Sequence, residues 1–297
     1  MKIDFGLRIV SGFFVALIWF QANRVTAAED GNVETLLARA KSAYENGKRD
    51  EAMKLATQAI EAEPLNPLGY FFRGRFYEAN HEAAKALADY NEVLKLEPGA
   101  PETWQRRGGE HFKLGHIKES IADFDRFIEL APQQEPYHWQ RGIAYYYADR
   151  FEDGRKQFEL HQTVNQNDVE NAVWHFLCVA RQSGVEKARA AFIPIKGDAR
   201  VPMKEIHSLF AGKAKPEDVL KAASENASET KRNQQLFYAH LYLGLYFEAI
   251  GTPEKAREHI KLAAEKYQTN DYMGDVARVH LQLRWPKKNV SESKELK

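Results

Sequence analysis

Residues 67–100 read PLGYFFRGRFYEANHEAAKALADYNEVLKLEPGA. Tyr70, Gly74 and Tyr77 mark one helix and Ala86, Tyr90 and Val93 a second, with Pro98 ending it. Small and apolar residues fall three and four apart, the period of an amphipathic helix that buries one stripe. Proline stops the second helix because it supplies no backbone donor and pushes its predecessor out of the helical conformation. The stretch is therefore a helical hairpin.

The hairpin recurs at steps of 34 residues. Gly74 leads to Gly108 and Gly142 and back to Ala40, while Tyr90 leads to Phe124 and Phe158 and back to Ala56. Ala86 leads to Ala52, Ser120 and Gly154, all small, and Pro98 leads to Pro64 and Pro132, with Gln166 in the fourth unit. Small residues let paired helices cross closely, and the aromatic residues fill the wedge between hairpins. With this period and these landmarks the chain resembles the tetratricopeptide repeat (TPR) family. The resemblance implies an all-α, right-handed superhelical solenoid, with repeats at 33–66, 67–100, 101–134 and 135–168.

Beyond residue 168 the pattern loosens. Residues 169–192 read as a degenerate hairpin broken at Gly184. Residues 193–233, punctuated by Pro194, Gly197, Pro202, Gly212 and Pro216, read as an irregular insert of two short helices, one with Ile206, Leu209 and Phe210 on a face and one with Val219, Leu220 and Ala223. A hairpin with Gly244, Phe247, Gly251, Ala256 and Ile260, plus a capping helix, occupies 234–284, and 285–297 form a polar tail. The apolar stretch 236–250 offers a surface for a homodimer.

Residues 1–28 read as a secretory signal peptide. Lys2 and Arg8 precede an apolar run from Ile9 to Phe20, and small residues at Thr26, Ala27 and Ala28 suit cleavage near Ala27 or Ala28. The run is shorter than the roughly 20 residues that span a bilayer as a helix. The expected product is exported, periplasmic or secreted, with no stable membrane insertion after cleavage. Lys plus Arg and Asp plus Glu both number 42, so no overall field draws the chain to nucleic acid. The one cysteine, Cys178, precludes an internal disulfide and reads as a buried, inert thiol.

A narrower resemblance covers 141–283. The segments AVWHFLCVAR and FYAHLYLGLYFEAIGTPEKAREHIKLAAEK, flanking an irregular insert, are similar to the NlpI-like envelope proteins. That resemblance implies a dimeric scaffold of the bacterial envelope bringing a protease to cell-wall hydrolases. This chain lacks the family's lipid-accepting cysteine.

In TPR arrays the inner helices line a concave groove. The positions that resemblance assigns to the groove are Leu37, Lys41 and Tyr44; Phe71, Arg75 and Glu78; Gln105, Phe112 and Lys113; and Trp139, Ile143, Tyr146 and Tyr147. They do not match the Lys and Asn clamp of chaperone-binding members, and their aromatic character suits an apolar or amphipathic peptide. The alternative is that several of these rings are covered by neighbouring helices. Arg39, Arg73, Arg107 and Arg141 form a second column, read as stems packed on the next hairpin with each guanidinium on a backbone carbonyl or a local acid rather than on a polyanion. No His-x-x-x-His pair, Gly-x-Ser-x-Gly elbow or phosphate-cradling loop appears, so no catalytic, metal or cofactor-binding residue is assigned. His111 and His116, five apart, are expected on different faces.

Overall fold

The computed structural model of the protein describes residues 32–225 and 228–286. The expected signal peptide and residues 287–297 lie outside the described residues. Within them the chain is helical, with no strand.

The first six helices form three regular hairpins: α1 (Val33–Glu45) with α2 (Arg49–Ala62), α3 (Pro67–Ala79) with α4 (Ala83–Leu96), and α5 (Pro101–Lys113) with α6 (Ile117–Leu130). Starts are set locally. Asn32 and Asn66 accept from the backbone N–H of Glu34 (2.8 Å) and Leu68 (3.1 Å), and proline opens α3 and α5 where the missing donor costs nothing. Hairpin turns pass through the left-handed region at Gly47, His81, Gly115 and Asp149, so the same backbone turn recurs with each repeat.

Hairpins close through the landmark pairs. A Cβ placed on Gly74 would stand 2.8 Å from the Tyr90 ring, on Gly108 2.7 Å from Phe124, and on Gly142 2.7 Å from Phe158. The partner rings are fully buried. Gly244 meets Ile260 in the same way at 2.6 Å, so the C-terminal hairpin obeys the same rule.

The fourth hairpin departs from the pattern. Residues Pro132–Tyr137 form a 3-10 turn, so the inner helix α7 (Trp139–Tyr147) is short before α8 (Phe151–Gln162). Then follow α9 (Val169–Ser183) and the short α10 (Val185–Ala190), separated at Gly184, and two helices of the expected irregular segment, α11 (Met203–Phe210) and α12 (Pro216–Ser224). That segment is core: Ile206, Leu209, Phe210, Val219 and Ala223 are buried, and Phe210 meets Phe176 edge-on at 5.1 Å. Helix α13 (Glu229–Ala249) begins inside the segment expected to be irregular. Helix α14 (Pro253–Lys261) runs into a π-helical turn, Leu262–Lys266, and α15 (Tyr272–Arg284) ends the described chain, with Trp285 packed 5.7 Å from His280.

Two cores result. A small one joins α1, α2 and α3, and a large one runs from α5 to α15. The apolar face of α13 expected to support a dimer is inside the second: Phe237, Leu241, Tyr242, Leu243 and Leu245 are fully buried. The reason is that α9, α12 and α14 pack around it, consuming the surface that looked free in the sequence.

Candidate protein-binding groove

Helices α1, α3, α5 and α7 bring the groove positions to the inner side, but only the first half of that side stays open. Leu37 turns into the N-terminal core, and Tyr44 stacks on Phe76 at 4.7 Å. Phe71 is half-buried with the Arg106 guanidinium 5.8 Å over its ring. Glu78 accepts from the Tyr90 hydroxyl (2.6 Å) and Arg106 Nη1 (3.0 Å), and Arg106, the Tyr90 bond and Lys113 lower its pKa despite burial. Arg75 is half-buried beside them, and burial followed by the Arg106 charge lowers its pKa. Gln105 is tied to the next repeat, donating to Gln140 Oε1 at 2.6 Å and meeting His138 through its own oxygen.

The second half is filled by the chain itself. Helix α15 lies against α5, and Tyr272 stacks on Phe112 (5.2 Å, 22°) and meets Trp139 edge-on (5.1 Å, 87°). The Tyr147 hydroxyl lies 2.9 Å from His280 Nδ1. Tyr146 packs edge-on to Trp174 of α9 at 5.4 Å. Phe112, Ile143, Tyr146 and Tyr147 are therefore core, not contact surface, and so is Leu37. Aromatic residues on two adjacent inner helices make an apolar wall, and burying it under α15 is more favourable than leaving it in water. The buried Glu110 faces Lys113 on its own helix, Glu78 from α3 and Asp275 from α15; burial, with the two acids, lifts it to about 7 against the Lys113 charge.

Between the filled half and the C-terminal core remains a cavity of about 300 Å³. Rings of Trp139, Phe158, Trp174, Tyr238 and Tyr272 line it, with the carboxylates of Asp168, Glu170 and Asp271 at its edge. Arg200, from the segment before α11, also lines it, but each of its three nitrogens is engaged by a carboxylate. Nε and Nη2 bond Asp198 (2.9 and 2.6 Å), Nη2 also reaches Asp168 (2.9 Å), and Nη1 bonds Glu170. Glu170 accepts from the Tyr242 hydroxyl, and burial lifts it to about 7. Of these residues the sequence offered only Trp139 as a groove position, and Phe158 as a packing landmark. Asp168 and Asp271 are visible there only as helix caps, and they come together because α9 and α15 start at the same end of the groove.

The arginine column is structural at three of its four positions. Arg73 Nε and Nη2 clasp Asp89 at 2.8 and 2.7 Å, Arg107 clasps Asp123 at 2.8 and 2.7 Å, and Arg141 clasps Gln157 at 3.0 and 2.8 Å. Each Nη1 reaches back to the preceding hairpin, at Thr57, Asn91 and Asp125. Arg39 is exposed, and Leu55 stands where Asp89 and Asp123 stand later. His111 and His116 do meet, Nδ1 to Nδ1 at 3.4 Å, because the left-handed turn at Gly115 folds His116 back over the helix end. Cys178 is fully buried, and burial raises its thiol, leaving it no access to a substrate. Among the described residues no helix is long and apolar enough to cross a membrane.

Residues 37–101 and 74–139 match two tetratricopeptide repeat family models. Residues 37–139 are tetratricopeptide repeats. A tetratricopeptide repeat protein from Parabacteroides merdae ATCC 43184 is 17% identical and superposes with a TM-score of 0.57 over 84% of this chain and 98% of that one. MamA, residue 41 to its end, from Desulfovibrio magneticus RS-1 is 16% identical, with a TM-score of 0.51 over 55% of this chain and 92% of that one. The first TPR of Spaghetti (RPAP3), bound to HSP90 peptide SRMEEVD, is 28% identical over 35% of this chain and 83% of that one, with a TM-score of 0.34. What this chain shares with the first two is the fold, and an array of such repeats is a scaffold for protein–protein interaction.

Proposed function

We propose that this TPR protein is an exported scaffold that grips an amphipathic peptide segment of its partners in the open first half of the groove. The observation that carries this is the inner surface of α3 and α5, where the half-buried Phe71 sits among Arg75, Glu78 and Arg106. An aromatic anchor ringed by both signs of charge has the make-up of an interface hot spot. Export follows from the leader-like residues 1–28, and service between proteases and cell-wall hydrolases of the envelope follows from the resemblance over 141–283. Non-catalytic action fits a surface built of packed rings and paired charges.

Affinity capture from an envelope extract tests this reading, comparing the mature protein with Phe71→Ala and Arg75→Glu variants of equal helicity. Partners held by the first and lost by both variants support it. Equal capture by all three moves binding elsewhere, and absence of any captured protein removes the scaffold reading. Cell fractionation supplies the location: the processed chain is expected in the periplasm or medium, starting after Ala27 or Ala28.

A further inference from the structure

The cavity beneath α15 has a chemistry of its own. Its walls are five aromatic rings, and its rim carries three carboxylates, with Asp198 immediately behind. The single guanidinium, Arg200, is spent on Asp168, Glu170 and Asp198, so the cluster stays net negative and offers no fork to an anion. Two residues in the wall are nine-tenths buried or more and hold polar atoms without a partner in the protein: Asn171 Oδ1, an acceptor, and Trp174 Nε1, a donor. The Tyr272 hydroxyl is likewise buried without a partner, on a residue that is itself half-buried. Buried polar atoms are normally paired, so unpaired ones around a cavity mark where ligand atoms complete the bonding. The volume is at the low end for ligand sites, enough for a side chain and not for a large cofactor.

We propose that this cavity receives an organic cation, an ammonium or guanidinium group on a short aliphatic stem. The ring faces attract the charge, the carboxylates compensate it, and Asn171 Oδ1 accepts one of its N–H groups. Trp174 Nε1 donates to a carbonyl of the same ligand. Trp139, on the inner helix of the fourth repeat, lines the cavity, and the ligand source proposed is a basic side chain of a peptide held in the groove. That source rests on the proposed function; the cation chemistry does not.

Intrinsic tryptophan fluorescence and calorimetry on the mature protein test it, with Nα-acetyl-lysine methylamide as probe and the norleucine and glutamate analogues as controls. The lysine probe is expected to bind about tenfold or more tighter than norleucine, with no binding of glutamate. Asp168→Asn keeps the cap of α9 and Glu170→Gln keeps the bond from Tyr242, and each is expected to weaken the lysine probe about tenfold while leaving norleucine unchanged. Equal binding of lysine and norleucine, or unchanged lysine binding in both variants, overturns the proposal. A lysine-centred heptapeptide binding more tightly than the small probe assigns the cation to a polypeptide; equal affinity assigns it to a free amine. A wild-type protein that binds no lysine probe yet captures partners through Phe71 sinks this inference alone, and the converse sinks the groove reading alone.

Discussion

Removing Arg107 leaves a carboxylate stranded. Asp123 is 3% exposed, and Arg107 holds it with two bonds of 2.8 and 2.7 Å while its guanidinium lies over Trp104 at 4.7 Å. Breaking a buried pair from one side costs about 3–5 kcal/mol, whereas replacing both partners with apolar residues of similar volume is near neutral or favourable. Arg107→Met should therefore destabilise by about 3 kcal/mol or more, the double variant Arg107→Met, Asp123→Leu much less, and the coupling between the sites should exceed about 2 kcal/mol. Urea denaturation followed by far-ultraviolet circular dichroism measures each corner of the cycle. The work belongs at pH 8, because His111 Nε2 lies 3.9 Å from Asp123 and could otherwise supply a replacement charge; burial lowers the His111 pKa, so it is neutral there. Arg73 and Asp89 give an independent repeat of the cycle. In Arg141→Met the clasped partner is the neutral Gln157, and the acids Asp125 and Glu135 are exposed enough to rehydrate, so that variant should cost less. A loss below about 1 kcal/mol for Arg107→Met, with no coupling, would refute the view that this column stitches the hairpins.

Other consequences follow from single contacts. Gly142→Ala drives a methyl to 2.7 Å from the buried Phe158 ring and should cost about 1–3 kcal/mol, whereas Gly109→Ala, facing open space within α5, should gain about 0.5–1 kcal/mol; denaturation midpoints compare them. His81 holds a left-handed backbone (φ 59°), so His81→Gly should stabilise by about 1 kcal/mol in the same assay. Glu110 sits at about 7 in the fold, above its unfolded value, so its favourable contribution is complete below the unfolded pKa and is lost as pH rises through 7. Between pH 4.5 and 8 the wild type should lose about 2–4 kcal/mol relative to Glu110→Gln, and parallel pH profiles of the two proteins would remove Glu110 from the account.

The hairpins were legible because their determinants are local. Gly74, Gly108 and Gly142 predict the rings at Tyr90, Phe124 and Phe158 from period alone, and the structure places each pair in contact. The acids answering the arginine column were not singled out, although Asp89 and Asp123 repeat sixteen residues after Arg73 and Arg107 and that spacing is a signal for them. What α15 does was not legible. Its apolar face announces a cap but not that Tyr272 returns to Phe112, a contact across 160 positions of chain that no periodicity encodes. Phe112, Tyr146 and Tyr147 therefore read as groove when they are core. The cavity was hidden for the same reason: Glu170, Arg200, Tyr238 and Asp271 come from four separate segments, each explicable locally as a cap, a turn or a helix face.

On the proposed function, partners bind the open half of the concave face, formed by α1, α3 and the adjoining side of α5. Hydrogen exchange of the mature protein with and without a captured partner tests it most directly. Added protection is expected in α1, α3 and α5, with α4 and α6 unchanged. Protection confined to α4 and α6, leaving α3 as it was, would contradict it.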